Sequence, residues 1–381
     1  MTDIMGKGAP LGQAPAATRT SPSANRPATP VPTRSELEAA DSFCREILPM
    51  ASRTFAISIR ALPGMLGRAV LTAYLICRVA DSVEDEGTLS PEAKVEQLDA
   101  LLACFDGPTE VADFVANLPT LTGNPGHARL VHNTAHVFTL HRSLSAHSQE
   151  RLRHWVTEMV TGMQRFVLRY PDGIRIQKLD EFREYCYYVA GTVGYLLTDL
   201  WREHSPAITA ERFDALRGHS RAFGQALQTV NILKDVASDA LDENSIYLPE
   251  EELRKHGSSH AALLSPEYRR QSHAAVVEMI ELAWRDLDEA RTYLLELPRR
   301  AVAIRLFCVL PLLFAHATLR ELSRSSAMLV PGKSPRISRR EVKRLLAGGT
   351  LLIMSNRGLD WLIDRAAGRR LSPVVSAGQA T

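Results

Sequence analysis

Cysteine is scarce and scattered in this 381-residue chain. The five residues Cys44, Cys77, Cys104, Cys186 and Cys308 include no CxxC pair, which excludes a cysteine-based metal site. Three of them lie in apolar helical text, so reduced, buried thiols are expected rather than disulfides. An excess of one charge is also missing. With 45 basic and 43 acidic residues the net charge is +2, and no nucleic-acid footprint is present. No apolar run reaches the roughly 18 residues that a membrane span needs. The best candidate, residues 301–319, is interrupted by Arg305, Pro311 and His316, and reads as a buried core helix kinked at Pro311. Alternating strand patterns longer than a few residues are absent, which argues against a β-sheet core.

Apolar residues make up 45% of the chain, enough for a large core. Residues 1–34 carry six prolines among Ala, Thr and Ser, and read as a disordered tail. Helical periodicity then runs almost throughout, over 37–48, 65–83, 91–105, 147–168, 180–201, 210–239, 266–297, 301–322 and 339–346. Pro63-Gly64, Gly123-Asn124-Pro125-Gly126, Pro171-Asp172-Gly173, Ser205-Pro206 and Pro331-Gly332 punctuate it. These patterns predict an all-α, single-domain bundle of roughly ten helices over residues 35–370, with a site between helices and a flexible end at 371–381.

Two aspartate pairs stand out in this helical text. Asp81 and Asp85 are four residues apart, and so are Asp235 and Asp239. On a helix that spacing puts each pair on one face. Gln228 and Asn231 continue the second stripe backwards at helical spacing. Carboxylates in apolar surroundings need a partner, and hard oxygen donors point to Mg2+. Arg53 and Arg78 flank the first pair, and a guanidinium matches phosphate geometry. Two such faces across a cavity would grip a diphosphate through bridging metals. For the second pair the alternative reading is a solvated helix C-terminus that runs on through Asp242, Glu243 and Asn244. His132, His136 and His141 mimic a zinc face at helical spacing, but no acidic or cysteine partner joins them, and they are not read as a metal site.

Four blocks carry a resemblance. They are Ser52-Arg53-Thr54-Phe55-Ala56; Tyr74 to Ala80 leading into Asp81–Asp85; Tyr185 through Gly191 to Gly194; and Gln228 to Asp235, followed by Tyr247-Leu248-Pro249. In this order, over about residues 40–365, the chain resembles the squalene/phytoene synthase family. The resemblance implies an isoprenoid-synthase-type helix bundle with a central cavity. It also implies Mg2+-dependent head-to-head joining of two prenyl diphosphates through a cyclopropyl diphosphate. It assigns Asp81, Asp85, Asp235 and Asp239 to the metal, and Tyr185 to proton removal or cation stabilisation. It assigns Phe55 and Phe307 to shielding the cation, and Ser52, Arg53, Arg78, Gln228 and Asn231 to the diphosphates. The chain departs from the family pattern at Ser238, where an acidic residue is usual, and at Lys234, where arginine is common.

The product depends on how the second cation is quenched. Phe307-Cys308-Val309-Leu310-Pro311 and the basic stretch around Arg336, Arg339 and Arg340 resemble squalene synthases. They imply NADPH as reductant and farnesyl diphosphate as substrate, with Arg336 and Arg339 meeting the cofactor phosphate. The alternatives are a phytoene or dehydrosqualene synthase without NADPH, and a non-enzymatic assembly-factor-like relative. The expected location is the cytoplasm, with peripheral contact at a membrane.

Overall fold

The computed structural model describes residues 31–368, apart from the side chain of Arg53. The expectations for residues 1–30, for 371–381 and for the Arg53 side chain fall outside what is described. Helices dominate and, among the described residues, no β-strand forms; Arg175 and Ile246 make a single isolated bridge. The first helices are α1 (Arg34–Ala51), α2 (Arg53–Arg60), α3 (Gly64–Glu84), α4 (Pro91–Ala103) and α5 (Pro108–Ala116). They are followed by α6 (Pro125–His132), α7 (Thr134–Arg142), α8 (Ala146–Arg169) and α9 (Leu179–Cys186). A π-helical turn, Tyr187–Gly191, joins α9 directly to α10 (Thr192–His204). The rest are α11 (Ala210–Asp242), α12 (Glu250–Lys255), α13 (Arg269–Glu296), α14 (Val302–Leu322), α15 (Arg339–Leu351) and α16 (Asn356–Ala367).

The expected all-α class is what forms, and all nine periodic segments fall on helices. The helix number is corrected upward from roughly ten to sixteen among the described residues. The additions are short pieces such as α2, α6 and α12, in which too few turns pass for a period to register. Local chemistry sets many boundaries. Thr33 caps α1 in a reciprocal box with Glu36, its hydroxyl accepting from the Glu36 N–H at 3.3 Å while the Glu36 carboxylate accepts the Thr33 N–H at 2.7 Å. Proline opens α4, α5 and α6, where its missing N–H costs nothing.

The apolar segment near the C-terminal end is the buried core helix expected, although its composition comes closer to a membrane span than its interruptions suggest. α14 is long and apolar enough by composition to cross a membrane, and it continues through Pro311 without ending. Yet 78% of its most apolar window is buried inside the protein, so it acts as a core helix. Its Arg305 is fully buried and donates to the Leu297 carbonyl at 2.6 Å, the Ile353 carbonyl at 2.8 Å and Asn356 Oδ1 at 2.9 Å. One guanidinium thus ties the ends of three helices together and satisfies carbonyls that the helices leave unpaired.

Two glycines set the spacing of the central helices. A Cβ on Gly194 of α10 would lie 1.9 Å from the Ser220 carbonyl oxygen of α11, and one on Gly224 of α11 would lie 2.0 Å from the Ala190 carbonyl oxygen. Backbone therefore rests on backbone at this crossing, and only hydrogen fits between. All five cysteines are free; four are buried and Cys77 is partly so, as expected for reduced thiols.

Candidate active site

Both aspartate pairs sit in the last turns of their helices. Asp81, Glu84 and Asp85 end α3, and Asp235, Asp239 and Glu243 end α11, with no basic residue in either last turn. A helix C-terminus carries partial negative charge, so carboxylates there are at the unfavourable end. Two helices that both break this rule at one place give up stability for a charge-dependent purpose.

The electrostatics agree. Burial, followed by the charges of Glu243 and Asp81, holds the Asp85 carboxyl well above the usual range. Burial, Glu243, Asp235 and Asp85 push Asp239 up to about 9. Burial and then Asp85 and Asp81 raise Glu84 well above its ordinary value. The two helix ends are therefore close enough to repel across the gap. Three cations answer six carboxylates. Arg78 Nη1 lies 3.4 Å from Asp81, Lys234 Nζ lies 2.9 Å from Asp235, and Lys94 Nζ donates to the Glu84 carbonyl at 2.5 Å. One oxygen of Glu84 and the Nε of Arg78 are buried without a partner.

This donor set fits a hard divalent cation: it is rich in carboxylate, short of positive charge and contains an orphaned oxygen. Among the described residues no three such side chains converge into a closed cage. Magnesium does not require such a cage, since each ion takes one or two carboxylates from the protein and fills its octahedron with water and phosphate.

An apolar chamber of about 960 Å3 opens beside the first pair. Its floor and walls are Phe55, Val70, Ala73, Val193, Leu197, Phe223, Leu227 and Phe307, from α2, α3, α10, α11 and α14. Arg78, Asp81, Gln228 and Asn231 also line it and supply its polar groups. Phe55 packs on Tyr74 with ring centroids 5.6 Å apart, and Phe307 meets Trp201 edge-on at 5.3 Å. A second chamber of about 770 Å3 shares Phe55, Arg78 and Asn231 and adds Ser52, Lys234 and Thr318. Ser52 also caps α2, its hydroxyl accepting the Phe55 N–H at 3.2 Å.

The structure thus gathers Phe55, Phe307, Arg78, Asp81, Gln228 and Asn231 around one chamber, with Ser52 next door. It does not bring Tyr185 to that wall. Tyr185 lies beneath the acidic cluster, fully enclosed, donating to the Tyr247 hydroxyl at 3.3 Å and stacked on that ring at 4.8 Å. Burial and the charges of Glu84, Tyr247 and Asp85 push its phenol far up. Arg336 and Arg339 are exposed, and no ion pair among the described residues claims them. The segment that holds them touches the second aspartate helix through Ser334, whose hydroxyl donates to the Lys234 carbonyl at 3.4 Å.

Sequence reasoning passed over three residues. Glu84, three residues after Asp81, shares its helix end. Glu243 is the second, and its expectation as part of a solvated helix end is corrected: it is partly buried and faces the first aspartate pair. Its spacing of four from Asp239 was the available signal. Tyr247 is the third, and only the fold reveals it as the partner of Tyr185. Ser238 contributes no charge and turns its hydroxyl back to the Asp235 carbonyl at 2.9 Å.

The squalene/phytoene synthase family model matches residues 48–341, most of the chain. The chain belongs to the squalene/phytoene synthase family. Curated members similar to it include a squalene synthase of Schizosaccharomyces pombe, 29% identical over 293 residues that make up 74% of this chain and 59% of that protein. Squalene synthase 1 of Arabidopsis thaliana is 26% identical over 73% of this chain and 64% of its own length. The chain therefore spans less than two thirds of the curated relatives it matches. Among solved structures, a ligand complex of TcSQS superposes with a TM-score of 0.73 at 21% identity, over 88% of this chain and 98% of that one. A dehydrosqualene synthase with bound ligand superposes at 0.57 and 21% identity, over 82% and 96%. Both likenesses establish the squalene/phytoene synthase fold for this chain.

Proposed function

We propose that the chain joins two farnesyl diphosphates head to head, through presqualene diphosphate, to squalene, using Mg2+ and NADPH. The observation that carries this reading is the chamber of about 960 Å3 whose lining is apolar except for a group formed by Arg78, Asp81, Gln228 and Asn231. A farnesyl chain is a long hydrocarbon with a highly charged head, and the chamber offers the matching division of surface. The curated relatives named squalene synthases support the same reading.

Each residue then has a task that its position supports. Asp81, Asp85, Asp235 and Asp239 would hold the metal, which when bound neutralises the charge that collects on the leaving diphosphate. Arg78 donates to the diphosphate beside Asp81. Gln228 and Asn231 lie two turns and one turn before the second pair and orient the phosphates by neutral hydrogen bonds. Phe55 and Phe307 line the chamber, where aromatic rings stabilise an allylic cation and exclude water. The Tyr185–Tyr247 pair stands at the acidic end, where a proton arriving at the Tyr185 oxygen is matched by one handed from Tyr185 to Tyr247 and from Tyr247 to a carboxylate of the Glu84–Asp85 cluster. Arg336 and Arg339 are exposed guanidiniums with no ion pair among the described residues, which suits a cofactor phosphate; NADPH, when bound, supplies the hydride that quenches the final cation.

The cytoplasm, with peripheral contact at a membrane, completes the proposal, because a C30 hydrocarbon product partitions into lipid. The test is incubation with farnesyl diphosphate and Mg2+, with and without NADPH, followed by identification of the hydrocarbon. Squalene formed only with NADPH supports the reading. A desaturated C30 product formed without it would assign dehydrosqualene synthesis instead, and the absence of Mg2+-dependent diphosphate release would remove the enzymatic reading altogether.

A further inference from the structure

Asp235, Asp239 and Glu243 follow one another at intervals of four and so share one face at the end of α11. Glu243 is the C-cap of that helix and keeps a right-handed helical backbone, with φ −109° and ψ −1°, so its side chain continues the stripe instead of leaving it. It lines a polar chamber of about 660 Å3 together with Glu84, Asp85, Lys94 and Tyr247. Glu84, 6% exposed, turns one carboxylate oxygen toward no partner in the protein. A buried carboxylate oxygen without a donor costs on the order of 1–3 kcal/mol, and a second and third carboxylate lining the same chamber add repulsion rather than relief. Lys94, the cation in that lining, spends its ammonium on the Glu84 carbonyl. Glu243 therefore stands beside Asp85 with no ion pair among the described residues, influenced by Arg78 but outnumbered by the carboxylates around it, in a place where an added cation balances the charge.

We propose that Glu243 is a sixth carboxylate of the metal site, holding divalent cation from the α11 side beside Asp239. This rests on the proposed reading of the aspartate pairs as metal faces. Ser238, whose hydroxyl is committed to its own helix, leaves that side of the site with only Asp235 and Asp239. Glu243 restores a third carboxylate to α11, matching the three that Asp81, Glu84 and Asp85 place at the end of α3. The two helix ends then become a symmetric pair of acidic jaws.

The prediction separates a metal ligand from a structural residue by two signs. In Glu243→Gln the affinity for Mn2+, used as a spectroscopic stand-in for Mg2+ and read by electron paramagnetic resonance without substrate, falls about tenfold. The same variant melts at or above the wild-type temperature without metal, because one repelling charge has gone. Asp242→Asn, on the neighbouring exposed residue, removes an equal charge and keeps wild-type Mn2+ affinity. If Glu243→Gln binds Mn2+ as tightly as wild type while Asp81→Asn binds it weakly, the assignment of Glu243 is overturned and the aspartate site stands. If Asp242→Asn loses as much affinity as Glu243→Gln, the effect is bulk charge and the assignment is equally overturned. If Asp81→Asn also binds like wild type, the underlying reading of the metal faces fails with it.

Discussion

Replacing Gly194 by alanine tests whether the central helices are held at backbone contact. The added methyl would lie 1.9 Å from the Ser220 carbonyl oxygen, and the obstacle is main chain, which cannot rotate away. The two helices must part by about 1 Å to restore even a tight contact, an overpacking that typically costs about 1–3 kcal/mol. Alanine itself favours a helix over glycine by about 1 kcal/mol, so the substitution is a contest between two effects of known sign. Gly218, on α11, supplies the control: nothing lies within 4 Å of the point where its added methyl would sit, so Gly218→Ala collects the propensity gain alone. The propensity gain is common to both, so the two variants should differ by the overpacking cost of about 1–3 kcal/mol, with Gly218→Ala above wild type and Gly194→Ala below Gly218→Ala. For a chain of this size that is a separation of about 1.5–4 °C in Tm, measured by scanning calorimetry at fixed pH without ligand. Gly194 also lines the apolar chamber, so the destabilised variant should bind a farnesyl diphosphate analogue more weakly, whereas Gly218→Ala should not. A Gly194→Ala protein that melts as high as Gly218→Ala would refute the close-packed crossing on which the chamber's shape depends.

Three further outcomes are expected. Asp81→Asn should lower Mg2+-dependent diphosphate release by more than about 100-fold, beyond the loss typical of outer-shell partners, with an unchanged circular dichroism spectrum; retained turnover would remove Asp81 from the metal. Burial, against a weak hydrogen bond to the Gln149 carbonyl, depresses His141 to about 4 from 6.5, so the folded protein holds it neutral where the unfolded chain takes up a proton. Stability from this residue is full above pH 6.5 and drains by about 3 kcal/mol as pH falls to 4; urea titrations of wild type and His141→Phe across that window should converge toward acid, and parallel curves would disprove it. Arg305→Met removes three hydrogen bonds at a fully buried position and should cost about 3 kcal/mol in thermal unfolding, whereas an unchanged Tm would show that the helix-end carbonyls do not need the guanidinium.

Much of this architecture was legible in the chain because it is written locally. Nine periodic segments declared themselves, one of them running through α9 and α10 together, while α2, α6 and α12, at eight, eight and six residues, did not. The aspartate pairs were equally plain, since a spacing of four needs only a helix to put both carboxylates on one face. α14 shows the limit of local reading. Its composition suits a membrane span and a protein core alike, and only packing against the other helices decides for the core.

By itself, then, the sequence determined the all-α class, the paired carboxylates, the aromatic and amide residues of the chamber, and the family pattern that orders them. Tertiary structure alone decided which of these share a wall. A π turn, Tyr187–Gly191, joins the two helices that carry Tyr185 and Val193. Val189 and Val193 line the chamber, while Tyr185 turns to Tyr247 and the acidic cluster. In the same way the meeting of two helix ends made Glu243 a neighbour of Asp85, across about 160 residues of chain. Spacing along one helix is fixed by bond geometry, but distance between helices is set by which side chains, or which missing side chains, stand between them.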